Sequence, residues 1–338
     1  MRPFSRRLRT RRSRLTASSS STSSTGRLER SATALRFGGR TVQSSKRKET
    51  LAAYTFLAPG FILFALVVLY PIARAFQISL YHWSIVPGTT SQYIGLGNYT
   101  HALHDPIFWR ALENTGAYMV FTVPAQIVIG MTVAVLLDAR MPARGLFRTL
   151  YYLPVVTSWV VVSLLFRYMF ITDGGLINFV LHDKLHVIGH NIEWLSHRWS
   201  ALAVISILGI WKGIGWSMVI FLAALQTVPR ELKEAAAVDG AKAWARFRAV
   251  SLPAILPVIA FVTVMLVIGG FNVFISVFLI TNGGPLDQTQ VLLTYMYRQA
   301  FSFLDFGYGS SLSFTLTLIV FALSIAQLRL FRRPKDAA

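Results

Sequence analysis

Three observations predict an all-α polytopic membrane protein with six transmembrane helices. The 338 residues are 54% hydrophobic, too apolar for an ordinary soluble domain. Six stretches, at about 54–74, 116–137, 150–171, 201–225, 254–280 and 310–330, carry at most one Lys or Arg each. About 20 such residues cross a bilayer core of roughly 30 Å as a helix, and none of the six alternates like a barrel strand. Finally, the basic residues are sided. The termini 1–50 and 329–338 with the loops 138–149 and 226–253 hold 26 Lys and Arg, against 4 in the loops 81–115, 172–200 and 281–309. The positive-inside rule then predicts that both termini are cytoplasmic. The net charge of +19 reads as topology and attraction to anionic membrane lipid rather than as nucleic-acid binding. With no cysteine, disulfides, thiolate catalysis and Cys-based metal sites are excluded.

Residues 1–50 are a basic, Ser- and Arg-rich region, with Arg6-Arg7 and Arg11-Arg12 followed by a Ser/Thr run at 18–25. Low hydrophobicity and self-repelling charge predict a disordered cytoplasmic tail. Its composition also suits a transit peptide, and a translation start nearer Leu51 is an alternative. Lys46-Arg47-Lys48 then hold the start of the first span, where Pro59 and Pro71 predict a kink. Tyr81, His82 and Trp83 suit a membrane interface. The following loop carries Gly95-Leu96-Gly97-Asn98-Tyr99, Phe108-Trp109 and Asn114-Thr115, and reads either as an amphipathic element or as a plain loop with interface anchors.

Spans two and three contain Pro124 and Pro154, tolerated where neighbours satisfy the freed carbonyls. They are joined by a tight basic turn with Arg140, Arg144 and Arg148. In the next loop His182, His186 and His190 are four apart, but Gly189 interrupts them, so a solvated loop is expected and no metal site. The fourth span carries Trp211-Lys212-Gly213 and Trp216. An unpaired charge at mid-membrane costs about 2.5–3.5 kcal/mol, so Lys212 should face protein or water. The tryptophans offer flat faces and N–H donors to a sugar ring, or serve as helix anchors. In the fifth span Asn272 and Ser276, four apart, share a face and either line a pathway or join helices. Thr281-Asn282-Gly283-Gly284-Pro285 forces a turn, and Tyr295, Tyr297 and Phe301 mark a segment that re-enters.

The loop 229–253 is the most ordered polar stretch. Pro229 opens a helix, with Glu231 and Glu234 at the positive end of its dipole. Ala235, Ala236 and Ala237 extend it with small side chains, and Asp239-Gly240 stops it. Trp244 and Phe247 share one face of a second short helix that Leu252-Pro253 should end. The chain has no G-x-x-x-x-G-K-[ST] phosphate loop, and no Ser/His/Asp set in its spans. No catalytic residue, cofactor or metal is expected.

Glu234-Ala235-Ala236, three residues, Gly240, nine residues and Val250-Ser251-Leu252-Pro253 together resemble the E-A-A loop of binding-protein-dependent ABC importer permeases. The run 224–257, the Thr281–Pro285 turn and Gly307-Tyr308-Gly309 look like the MalF/UgpA-type carbohydrate branch. The resemblance covers 51–333 and leaves 334–338 as a short cytoplasmic tail. It implies the MetI-like type I importer fold and a permease for a sugar, oligosaccharide or related polyol, glycerol-phosphate-type solutes included. It also implies a second permease subunit, two cytoplasmic ATPase subunits and an extracytoplasmic solute-binding protein at the cell inner membrane. Carried over by position, Glu234 would contact the ATPase, Ala235 and Ala236 would allow close packing, and Gly240 would set the bend. Trp211, Lys212, Gly213 and Trp216 fall where that branch places sugar contacts. Gly270 and Val273 stand where its maltose-carrying members present asparagines, so a maltose-like contact set is not expected. The alternative is an ion-coupled secondary transporter. It would need intramembrane carboxylates, whereas Asp138 and Asp173 sit only at span edges.

Overall fold

A computed structural model describes residues 49–50, 52–85, 88–139 and 142–331. The expected tail at 1–50 lies outside them except for its last two residues, as does 334–338. The chain divides into two compact units, Met1–Pro71 and Ile72–Ala338. In the described residues, five helices are long and apolar enough to cross a membrane, or six if one bent pair counts as a span.

Helix α1 (Ala52–Ser79) runs through the boundary between the units. Within the first unit its Phe56, Leu57, Phe61 and Leu63 are exposed. Beyond it, two short strands, β1 (Tyr81–His82) and β2 (Gln92–Tyr93), pair antiparallel. Helix α2 (Gly97–His104) follows. This stretch thus holds a small ribbon and a helix, and buried Asn98 ties them together by donating to the Ser79 and Tyr81 carbonyls.

The second unit is built on two long helices that run side by side in the same direction, α3 (Pro106–Asp138) and α6 (Arg198–Thr227), with Asn114 beside Arg198 at their starts and Leu137 packed with Leu225 at their ends. Asp105 caps α3, accepting from the Ile107 amide at 2.8 Å with Pro106 at the first turn, the residue pair that position favours. Pro124 sits inside α3 without ending it. A Cβ added at Gly130 would lie 2.8 Å from Cβ of Ser217, so the two backbones pack as small residues permit in membranes. Val133, Leu137, Met218, Phe221 and Leu225 fill the seam together with Ile255 and Val262.

The third span differs from expectation. It is not one helix over 150–171 but two, α4 (Arg144–Val156) and α5 (Trp159–Met169), bent by 90°. After α5, Asn178 organises the loop to α6. It donates to the Thr172 and Ile192 carbonyls and accepts from the Trp194 indole at 2.9 Å. His186 adopts φ +51°, so the three spaced histidines do not share a helical face.

Helix α7 (Arg230–Val238) follows Pro229 as expected. The short second helix, Ala243–Arg246, does not end at Leu252-Pro253. It passes through a wide turn, Phe247–Ser251, directly into α8 (Leu252–Phe271). There the Leu252 amide reaches back five residues to the Phe247 carbonyl, and Pro253, which has no N–H to donate, follows at once in the first turn of α8. A break at Asn272–Phe274 separates α8 from α9 (Ile275–Ile280). Helix α10 (Leu292–Tyr297) turns back into the bundle, and α11 (Phe306–Leu330) closes it. Phe108, Phe271, Tyr295, Tyr308 and Leu312 join α3, α10 and α11 in one apolar cluster.

Candidate functional site

A cavity of about 540 Å³ lies between α3, α5, α6 and the break between α8 and α9. Helix α3 contributes Tyr118, Thr122 and Gln126, which recur every four residues and so share one face. Helix α6 contributes Gly209, Gly213 and Trp216. The glycines make room for the polar side chains opposite. A Cβ at Gly209 would meet the Tyr118 hydroxyl at 2.3 Å, and one at Gly213 would meet Gln126 Oε1 at 2.1 Å. Gln126 Nε2 donates to the Gly209 carbonyl at 3.3 Å, which orients the amide. Trp159 closes one side, and Asn272, Phe274 and Ser276 line the α8–α9 break. Asn272 Nδ2 donates back to the Ile268 carbonyl at 2.9 Å, leaving its Oδ1 to accept. No Asp, Glu, Lys, Arg or His lines this cavity among the described residues. Aromatic faces, two carboxamides and hydroxyls make a surface for an uncharged polar molecule with an apolar face.

Of the six expected pathway residues, Gly213, Trp216, Asn272 and Ser276 line the cavity, while Trp211 and Lys212 do not. Trp211 is half exposed and packs near Phe166, ring centroids 6.2 Å apart. Lys212 is 2% exposed and points into the bend of the third span. Its Nζ donates to the Pro154 carbonyl at 2.7 Å and the Thr157 carbonyl at 2.6 Å, with Val155 O at 3.4 Å. It also lies 4.8 Å from the centre of the Trp159 ring. The last carbonyls of a helix lack regular helical donors; here Pro154 O accepts from the Thr157 amide and hydroxyl, and a buried ammonium with three donors serves it together with the Val155 and Thr157 carbonyls. Lys212 thus stands behind the cavity wall and supports Trp159 from there.

Sequence reasoning passed over Tyr118, Thr122 and Gln126, although their four-residue spacing in an apolar span was a usable signal. Trp159 had no such signal, because only the 90° bend turns it inward.

At the other end of α3 lies the E-A-A stretch. Glu234, Ala235 and Gly240 are exposed and Ala236 is half buried. The Gly240 amide donates to Ala237 O and the Ala241 amide to Ala236 O, both at 3.0 Å, with Gly240 at φ +81°. This is a left-handed helix stop that favours glycine. Trp244 and Phe247 stack, tilted, at 5.5 Å. Val238 and Trp244 are 88% and 70% exposed, so a polar helix presents an uncovered apolar edge.

The family described as "Binding-protein-dependent transport system inner membrane component" matches residues 126–335. The lactose transport system permease protein LacF of Rhizobium radiobacter is 36% identical over 86% of this chain and 98% of its own length. The arabinooligosaccharides transport system permease protein AraP of Halalkalibacterium halodurans is 36% identical over 83% of this chain and 88% of its own. A solved bacterial ABC transporter involved in the import of the acidic polysaccharide alginate superposes with a TM-score of 0.73 at 22% identity. The match covers 88% of this chain and 100% of that one, a likeness of fold.

Proposed function

The chain belongs to the family of binding-protein-dependent transport system inner membrane components, and on that premise we propose that it is the membrane-spanning subunit of an ABC importer for an uncharged sugar or oligosaccharide. The observation that carries this reading is the cavity between α3, α6 and the α8–α9 break, lined by aromatic faces and carboxamides and, among the described residues, by no ionised side chain. A sugar presents apolar C–H faces to Trp159 and Trp216, and its hydroxyls pair with Gln126 and Asn272. A phosphorylated or carboxylated solute would enter this lining without a counter-charge and lose its hydration. Relatives named for lactose and arabinooligosaccharide transport support the same class.

In this reading α7 and the Trp244 edge face the cytoplasm and receive an ATPase subunit. A second permease subunit completes the pathway, and an extracytoplasmic binding protein delivers solute at the Asp105 end. Closure of the ATPases moves α7, and the bundle responds by exposing the cavity to the other side.

The test is reconstitution of the chain with its second permease subunit, ATPase and binding protein in liposomes. Neutral disaccharide uptake should depend on ATP, and an acidic or phosphorylated sugar should not compete. Gly240→Pro should lose the stimulated ATP turnover. Uptake driven by an ion gradient without any ATPase would overturn the reading.

A further inference from the structure

Helix α7 has no fully buried residue, yet one side chain ties it to the bundle. Lys233 Nζ lies 3.1 Å from Asp138 Oδ2 and 3.2 Å from the Leu225 carbonyl. The Lys233 and Asp138 side chains are 28% and 25% exposed. Both partners need a cation for reasons legible in the chain. Asp138 is the last residue of α3, at the negative end of that helix, where a carboxylate is unfavourable unless it is paired. Leu225 would pass its helical hydrogen bond to the residue four places on, which is Pro229, and proline has no N–H to donate. One ammonium therefore pairs the end of α3 and caps the end of α6. Those two helices carry Tyr118, Thr122, Gln126, Gly209, Gly213 and Trp216 of the cavity wall.

We propose that Lys233 is a positioning residue that transmits the displacement of α7 to α3 and α6, so that ATPase movement is felt at the cavity through the Lys233–Asp138 pair and the Leu225 carbonyl. This rests on the reading of α7 as the ATPase-docking helix. Glu234 and Ala235 face outward for docking, while Lys233 faces inward. The division of labour separates holding the ATPase from using it.

The experiment uses the full reconstituted complex and reads three quantities: ATPase retained on purification, ATP hydrolysed, and solute moved per ATP. Lys233→Met keeps the side-chain stem and removes the charge. It should retain the ATPase in full yield while solute moved per ATP falls about 5-fold or more, the low end of coupling between sites. Asp138→Asn should give a smaller fall, because the Leu225 carbonyl is still capped. The double variant should be no worse than Lys233→Met, since the two act as one unit. Lys233→Arg should restore most of the ratio. An unchanged ratio in Lys233→Met and Asp138→Asn, or additive losses in the double variant, would overturn the link. Loss of the ATPase from Lys233→Met alone would make Lys233 a docking contact instead. If the wild-type complex retains no ATPase, the importer reading fails and the link fails with it.

Discussion

Lys212 holds the bend of the third span with one ammonium group, and its neighbours on α6 show how finely that helix is fitted. Replacing it by Met removes the charged donor to the Pro154 and Thr157 carbonyls, of which Pro154 keeps only the Thr157 amide and hydroxyl. Hydrogen bonds to charged groups contribute about 1.5–3 kcal/mol, so Lys212→Met should lower the unfolding temperature in detergent and Lys212→Arg should recover part of it. Two glycines on α6 should then part company. At Gly215 an added Cβ would meet the Tyr151 backbone carbonyl at 2.2 Å, which cannot swing aside. Gly215→Ala should destabilise by about 1–3 kcal/mol, as overpacking does. At Gly213 the obstacle is the flexible end of Gln126. Gly213→Ala should fold normally and instead raise the KM for solute uptake, which transport assays on the two variants would separate.

At the scale of elements, two connections are built to be held in one shape. The Gly240 turn sits at φ +81° with open space around it, so a side chain there is opposed by the backbone alone. Gly240→Ala should cost about 1–2 kcal/mol, the penalty for an L-residue in that region. The permease should still fold, with weaker ATPase retention. At the opposite end, Asn114 is fully buried and donates to the Gln288 and Gln290 carbonyls at 2.8 and 2.7 Å. Its Oδ1 accepts from Arg198 Nε at 2.8 Å. One amide thus joins α3, α6 and the loop before α10. Asn114→Ala strands buried polar groups at about 1–3 kcal/mol, and limited proteolysis should then cut more readily within 281–291.

For the whole molecule, acid stability turns on Asp105, where α3 begins and α10 and α11 meet it. Its Oδ2 accepts from the Tyr308 hydroxyl at 2.6 Å and from the Tyr295 hydroxyl. Burial pushes the carboxyl up, but the two phenols and the Ile107 and Phe108 amides outweigh it and hold it below its ordinary 3.8. The Tyr295 phenol is pushed up, by burial first and then by Asp105, so it stays a donor. A carboxyl depressed on folding stabilises fully above its unfolded value and loses that contribution as pH falls through the lower, folded one. Unfolding should therefore be insensitive to this group between pH 5 and 8 and steepen only below about 4. Asp105→Asn should flatten that acid limb in a thermal-unfolding series.

The sequence by itself determined the apolar spans, the Gly240 stop and the exposed Glu234 face. Each depends on local chemistry: the length of an apolar run, a position that wants positive φ, a proline at a helix start. It also offered Gly213, Trp216, Asn272 and Ser276 as candidate pathway residues, while their meeting at one cavity is a matter of packing. Only the tertiary structure decided which way Lys212 points, because the carbonyls it serves come from Pro154 and Thr157 on another span. It alone revealed the 90° bend that turns Trp159 inward, and the pairing of Lys233 with Asp138, far away in the chain. A buried charge must find a partner, but the chain's local pattern states the need without naming the partner, which packing supplies.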